Sequence, residues 1–241
     1  MRNVIEINKK HAQIGLGKRD SKEGPEKHLV DAFKTYIPDY FKAKKGAIAI
    51  FEEPSLETGY PDLVIVKYSP EVFRKWSPAR TNLKPADLKI LQYLYFKKGA
   101  DSNMLVADLG VAAKGLLLAI ERLLDAGLIV RRKCYWTTSR LSSIFGVRSI
   151  IAIEAKINNW NVAFRQAQSN QWFSSRSYVL SPIEKPSESV IMRAKETGVG
   201  IFLLNKRYVR RIRGAQELRI PSSYASWMLN EWIGRYIHHQ I

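Results

Sequence analysis

Two short apolar runs carry charges where a buried strand should carry none, and they constrain this chain most. The first is Gly59-Tyr60-Pro61-Asp62-Leu63-Val64-Ile65-Val66, and the second is Ile150-Ile151-Ala152-Ile153-Glu154-Ala155-Lys156. A charge in such a setting is costly unless it is paired or put to use. Successive side chains on a strand point to opposite faces. Glu154 and Lys156 therefore share a face with Ala152, while Ile151, Ile153, Ala155 and Ile157 share the other, which must face a core. Asp62 falls on the face of Val64 and Val66. If the two strands are neighbours, Asp62, Glu154 and Lys156 converge at one end of a sheet.

That trio has a definite chemical meaning. Two carboxylates can hold Mg²⁺, with Mn²⁺ as a substitute, and leave positions for water and a phosphate oxygen. A lysine beside them can orient or deprotonate the water, or neutralise the charge that develops on phosphorus. Composition points the same way. Lys and Arg outnumber Asp and Glu by 39 to 22, giving a net charge of +17, which favours nucleic acid over a membrane as partner. The 46% hydrophobic fraction is enough for a real core. Cys134 is the only cysteine, so a disulfide framework and a thiolate zinc site are excluded. His11, His28, His238 and His239 lack zinc-site spacing. The polar stretch 1–24 has no apolar signal-peptide region and reads as an arm, and no run approaches the length of a membrane span. The expectation is a cytoplasmic protein of a prokaryotic or viral-type intracellular setting.

Periodicity organises the rest. Pro25 opens a helix with apolar positions at 29, 30, 33, 36 and 37, which Pro38 ends, and strands follow at 47–51 and 63–66. From residue 78 the pattern changes to helices at 85–96, 102–109 and 113–126, the last burying Leu116, Leu117, Ile120, Leu123 and Leu124 and closed by Gly127. Leu128-Ile129-Val130 and Tyr135-Trp136-Thr137 flank Arg131-Arg132-Lys133 as a strand, basic turn and strand. The α/β pattern then resumes, with strands near 149–157, 178–180 and 199–204, helices near 160–176 and 187–197, and a final helix from about Ser222 to His238. The segment 78–145 thus reads as a domain inserted into an α/β domain made of 1–77 and 146–241.

Two family resemblances rest on these residues. Pro61-Asp62 and Glu154-Ala155-Lys156, in that order, with Glu26 on the preceding helix and Gln166 on the following one, resemble the PD-(D/E)xK nuclease superfamily. The resemblance covers roughly 25–70 and 147–205. It implies a restriction-endonuclease-like mixed central sheet flanked by helices and a metal-dependent DNA endonuclease. It further implies Asp62, Glu154 and Glu26 as metal ligands, Lys156 as the catalytic lysine, and a supporting glutamine at Gln166, with Gln168 the other amide in reach. Glu26 is equally an ordinary acidic residue of a first helical turn. Glu52 and Glu53 read as exposed strand-end charges and are set aside.

Residues 78–145, three helices followed by a basic hairpin, resemble a winged helix-turn-helix domain, and Asp125-Ala126-Gly127-Leu128-Ile129 resembles the way that family leaves its third helix. In that family the third helix enters the major groove and the wing tracks the backbone. Lys114 and Arg122 on the helix and Arg131, Arg132 and Lys133 on the wing are the implied DNA contacts, though such domains also bind proteins. The run 206–213, with Arg210 and Arg211, is either a second grip on DNA or a charged edge strand protected from aggregation. The expected partner is double-stranded or branched DNA, met by two copies of the chain because one such site cuts one strand. The implied settings are restriction or defence, recombination and repair. The rival readings are a DNA-binding regulator whose nuclease-like core does not cut, and an RNA-processing nuclease.

Overall fold

The computed structural model describes residues 4–7, 12–41, 46–205 and 208–238. The chain divides into two compact units, Met1–Tyr68 with Val147–Ser222, and Ser69–Gly146 with Ser223–Ile241.

After strand β1 (Val4–Glu6), helix α1 (Pro25–Lys34) opens on Pro25, whose missing N–H costs nothing in a first turn. The expected run to Ile37 breaks early. Pro38 does not stop the helix but sits in the first turn of a second one, α2 (Ile37–Tyr40), which suits its fixed φ. Strands β2 (Ala47–Glu52) and β3 (Leu63–Tyr68) follow. The helical stretch comprises α3 (Pro70–Arg74), α4 (Pro85–Lys97), α5 (Ser102–Leu109) and α6 (Ala113–Asp125). It closes with strands β4 (Ile129–Arg132) and β5 (Tyr135–Thr138) and helix α7 (Leu141–Ile144). The α/β pattern resumes with β6 (Val147–Ala155), α8 (Trp160–Asn170), β7 (Arg176–Ser181), α9 (Glu188–Thr197), β8 (Gly200–Leu204) and β9 (Val209–Arg213). The last element is α10 (Tyr224–His238).

The first unit is α/β, built on a mixed seven-stranded sheet of order β1-β2-β3-β6-β7-β8-β9. β2, β3 and β6 are antiparallel neighbours, whereas β6, β7 and β8 run parallel, joined through α8 and α9. A parallel pair needs such a crossover, and crossover helices cover the sheet. Leu29, Val30 and Phe33 of α1 pack with Ile48, Ile50, Ile65, Ile151 and Ile153. Ala163, Phe164 and Ala167 of α8 pack with Val179, Ile201 and Leu203. Each Leu, Ile, Val or Phe among them, fully buried, stabilises by roughly 1.5–3 kcal/mol. Ile151, Ile153 and Ala155 do point into a core, as their alternation requires, but the opposite face is covered too, so Glu154 is 2% exposed.

In the second unit α6 buries Leu116, Ala119, Ile120 and Leu123. Leu117 and Leu124, expected in that core, are 69% and 40% exposed. The i, i+3, i+4, i+7 set beginning at Leu116 already fills the inner stripe, and Leu117 lies about 100° round from it. β4 and β5 form a hairpin in which Arg132 pairs with Tyr135 and Lys133 takes the positive φ (57°) a two-residue turn demands.

The expectation that 146–241 stays whole is corrected by α10. Its residues cluster with the helical unit because Trp227 and Trp232 need a large apolar partner, and α4 offers one. Trp227 donates to Gln92 Oε1 at 2.7 Å and packs edge-on against Phe145. Gly234 lies against Trp76, whose ring would stand 2.1 Å from any added Cβ. Arg80 and Glu231 form a buried two-pronged pair (2.5 and 3.0 Å), with Arg80 stacked 3.8 Å over Trp76. Among the described residues no single helix is long and apolar enough to cross a membrane.

Candidate active site

The site forms where β3 begins and β6 ends. The register pairs Leu63 with Ile153, so the two charged motifs lie on adjacent strands. Asp62 Oδ2 accepts a 2.7 Å hydrogen bond from the Ala155 N–H, which pins its carboxylate to the end of β6. Glu154 points toward α8, where Asn170 donates to its Oε1 at 2.6 Å. Asn159 sets the start of that helix by accepting from the Val162 N–H at 3.3 Å. Glu154 Oε2 is buried and has no hydrogen-bond partner among the described residues. Lys156 donates to Glu26 Oε2 at 2.7 Å.

The electrostatics follow from burial. The Asp62 carboxyl is pushed up to about 6, first by desolvation and further by Glu26 and Glu53, against the opposing pull of the Ala155 N–H and Lys156. Glu154 is pushed up to about 8 by desolvation and then by Asp62, with Asn170, Lys156 and Arg19 pulling it down. Two carboxylates that resist ionising together are short of positive charge. That shortage, with a bare buried oxygen on Glu154, fits a divalent cation.

The fit is of the open kind. Among the described residues no three His, Cys, Asp or Glu side chains converge into a cage. Mg²⁺ commonly binds through one or two carboxylates and otherwise through water and substrate phosphate. Asp62 and Glu154 can supply the two. Glu26, expected as a third ligand, is instead committed to Lys156.

Two cavities open here. One, about 270 Å³, is lined by Arg19, Glu26, Lys27, Glu53 and Asp62 among others. The second, about 470 Å³, includes Arg19, Tyr60, Glu154, Arg165, Gln166 and Asn170 in its lining. Gln166 therefore reaches the site's wall, while Gln168 is exposed and lines neither cavity. The amide that actually holds Glu154 is Asn170, one helical turn after Gln166. The i, i+4 spacing was the available signal, since both residues lie on one face of α8. Glu52 and Glu53, set aside as exposed, are buried at 7% and 8%. Lys34 pairs with Glu52, and Arg19 pairs with Glu53.

The expected nucleic-acid contacts scatter. Arg131, Arg132 and Lys133 are exposed along the β4–β5 hairpin, with Arg131 lying 5.4 Å from the Trp136 ring centroid. Lys114 is exposed in the first turn of α6. Arg122 is not free to reach outward: it makes a fork of hydrogen bonds (2.7 and 2.6 Å) to Asp87, which is fully buried. The outer face of α6 presents Leu117, Leu118 and Leu124 beside Glu121 and Asp125 rather than a basic stripe. Arg210 and Arg211 are exposed on the edge strand β9. Arg210 shares a hollow with Lys185, Asn205 and Tyr208. Because β6, β7 and β8 are parallel, that hollow lies at the same end of the sheet as Glu154. Lys206 and Arg207 of the same run lie outside the described residues.

Comparison of the chain with protein-family models, with curated proteins and with solved structures gave no match.

Proposed function

We propose that this protein is a Mg²⁺- or Mn²⁺-dependent DNA endonuclease with a PD-(D/E)xK-type core and an inserted winged-helix-type module. The observation that carries the reading is the convergence of Asp62 and Glu154 at adjacent strand ends, with a bare buried oxygen on Glu154 and the Lys156 ammonium beside them. The sheet supports it, since a mixed central sheet flanked by helices is what the resemblance implies. The surplus of 39 basic over 22 acidic residues supports a polyanionic substrate.

Asp62 and Glu154 would hold the divalent ion, which would supply Lewis-acid charge and lower the pKa of water. The Ala155 N–H fixes the Asp62 carboxylate, and Asn170 fixes Glu154 so that Oε2 remains available. Lys156 orients the attacking water and offsets the negative charge gathering on the phosphate oxygens. Water adds to phosphorus and releases a proton to solvent, the bond from phosphorus to the leaving sugar oxygen breaks, and that oxygen takes up a proton from solvent. Glu26 holds the Lys156 ammonium in place until substrate arrives.

The test is cleavage of supercoiled plasmid and branched DNA with Mg²⁺ or Mn²⁺ by wild type and Lys156→Ala, with an RNA duplex as competitor. Metal-dependent nicking by wild type, lost in the variant while DNA binding remains, is expected. Binding without cutting by either protein would sink the nuclease reading in favour of a DNA-binding regulator. Preferential cutting of the RNA would move the substrate to the other sugar.

A further inference from the structure

Resting on the nuclease reading, we infer that Arg19 is a phosphate-binding residue of the site, parked on Glu53 and presented to the scissile phosphate. It belongs to a strap that the sequence marked only as a polar arm. The strap is fixed by backbone pairing: the Arg19 N–H donates to Glu53 O (3.1 Å), the Ser55 N–H donates to Gly17 O (2.7 Å), and Lys18 bridges to Pro54. The side chain then emerges between the two cavities, and among the described residues Arg19 is the one that lines both. One of those cavities holds Asp62 and the other Glu154, so a phosphate spanning the two carboxylates passes Arg19.

The guanidinium is partly engaged and partly open. Glu53 takes its Nε–H, and among the described residues the two terminal nitrogens have no hydrogen-bond partner. The Arg19 side chain is 53% exposed and that of Glu53 11%, so the carboxylate sits behind and the fork faces out. Tyr60 supports the plane, its ring centroid 5.2 Å from the guanidinium carbon. Glu53 adopts φ +43°, an uncommon conformation for a residue with a side chain, which the surroundings must hold. An arginine with two free parallel N–H groups matches the oxygens of a phosphate better than a lysine point charge can. Compare Arg122, whose Nε and Nη2 are both taken by the buried Asp87 carboxylate.

Placed so, Arg19 grips a non-bridging oxygen and strengthens that contact as charge builds in the transition state. Steady-state cleavage by Arg19→Ala and Arg19→Lys tests this, together with the thermal shift each protein shows in inorganic phosphate without metal. Arg19→Ala should lose roughly 100-fold in kcat with KM changed by less than about three-fold. Arg19→Lys, which keeps the charge and loses the fork, should recover about a tenth of the activity. Phosphate should raise the melting temperature of wild type and not that of Arg19→Ala. Cleavage by Arg19→Ala equal to wild type, or an undiminished phosphate shift in it, overturns the inference and leaves the nuclease reading standing. A wild type that cuts nothing overturns the nuclease reading, and a phosphate shift abolished in Arg19→Ala then still assigns Arg19 to phosphate. If Arg19→Ala does not fold, Arg19→Lys decides: kcat equal to wild type overturns the fork.

Discussion

The carboxylate end of the sheet and the basic hairpin of the helical unit are both charged, yet they carry different information. At the sheet end Glu154 is 2% exposed and its second oxygen is unpartnered among the described residues, a state that the fold alone gives no reason to keep. On the hairpin, Arg131, Arg132 and Lys133 are exposed and solvated, at little cost in free energy whether or not a partner ever comes. A buried carboxylate with an unpartnered oxygen is evidence of use; exposed charge is only opportunity. The same contrast separates two arginines. Arg122 is closed on a buried carboxylate, whereas Arg19 leans on one and leaves its fork open.

The comparison breaks first on activity. Glu154→Gln, nearly the same shape without the charge, should cut DNA about 10²–10⁴-fold more slowly while binding it normally. Replacing Arg131, Arg132 and Lys133 together by alanine should do the reverse, weakening DNA binding and lowering the slope of log affinity against log salt by about 3. Cleavage assays and salt-titrated fluorescence anisotropy read the two. A hairpin variant with an unchanged salt slope would remove the hairpin from the DNA interface. The leucine-rich outer face of α6 would then point to a protein as the module's partner.

Next in size is the closed arginine. Arg122→Ala leaves Asp87 buried without its cation, and should cost about 3 kcal/mol in a denaturant titration. Among the described residues Asp87 would retain only the Lys84 N–H at 2.8 Å. A DNA-contact role alone would instead leave stability intact and lower affinity. Asn170→Ala should act at the other region, raising the metal concentration needed for half-maximal cutting by about ten-fold, because Glu154 loses the donor that fixes it.

How far these roles could be read in the sequence depended on how local they were. Asp62, Glu154 and Lys156 stood out because a charge interrupting an apolar strand is an anomaly that strand alternation turns into a direction. Strands β2, β3, β6, β7 and β8 followed from their apolar runs and from the spacing of α8 and α9, whereas β1 lay in a stretch that reads as an arm and β9 was one of two readings of 206–213. Arg19, Glu53 and Asn170 did not stand out, because their meaning comes from contacts across the fold: Arg19 with Glu53 over 34 positions, and Asn170 with Glu154 over 16. Leu117 and Leu124 misled because an apolar helix supplies more leucines than one inner stripe can take. α10 was assigned by chain order, but its tryptophans went to the partner that could bury them. Pro38 was read as a stop when a proline serves equally well in a first turn.

The smallest effect sharpens the comparison from the stability side. Asp62 and Glu154 titrate higher in the folded chain than when unfolded, so between about 4 and about 8 the folded state holds more protons. Stability from these groups is therefore full below the unfolded values and falls as pH rises through that window, before any metal is added. Glu154→Gln removes the ionisation. It should melt with wild type near pH 4 and become the more stable protein toward pH 8. Mg²⁺ should oppose the trend in wild type, raising its melting temperature more at pH 8 than at pH 5, where protons compete for the carboxylates. The glutamine variant should lose most of that rise. Melting curves at several pH values, with Mg²⁺ and with EDTA, give all four comparisons. Parallel wild-type and variant curves would mean that Glu154 is neutral throughout and that its bare oxygen answers to something other than a cation. Divergence that closes on adding Mg²⁺ would put the cation on the buried carboxylates and leave the exposed hairpin to bind or not on its own account.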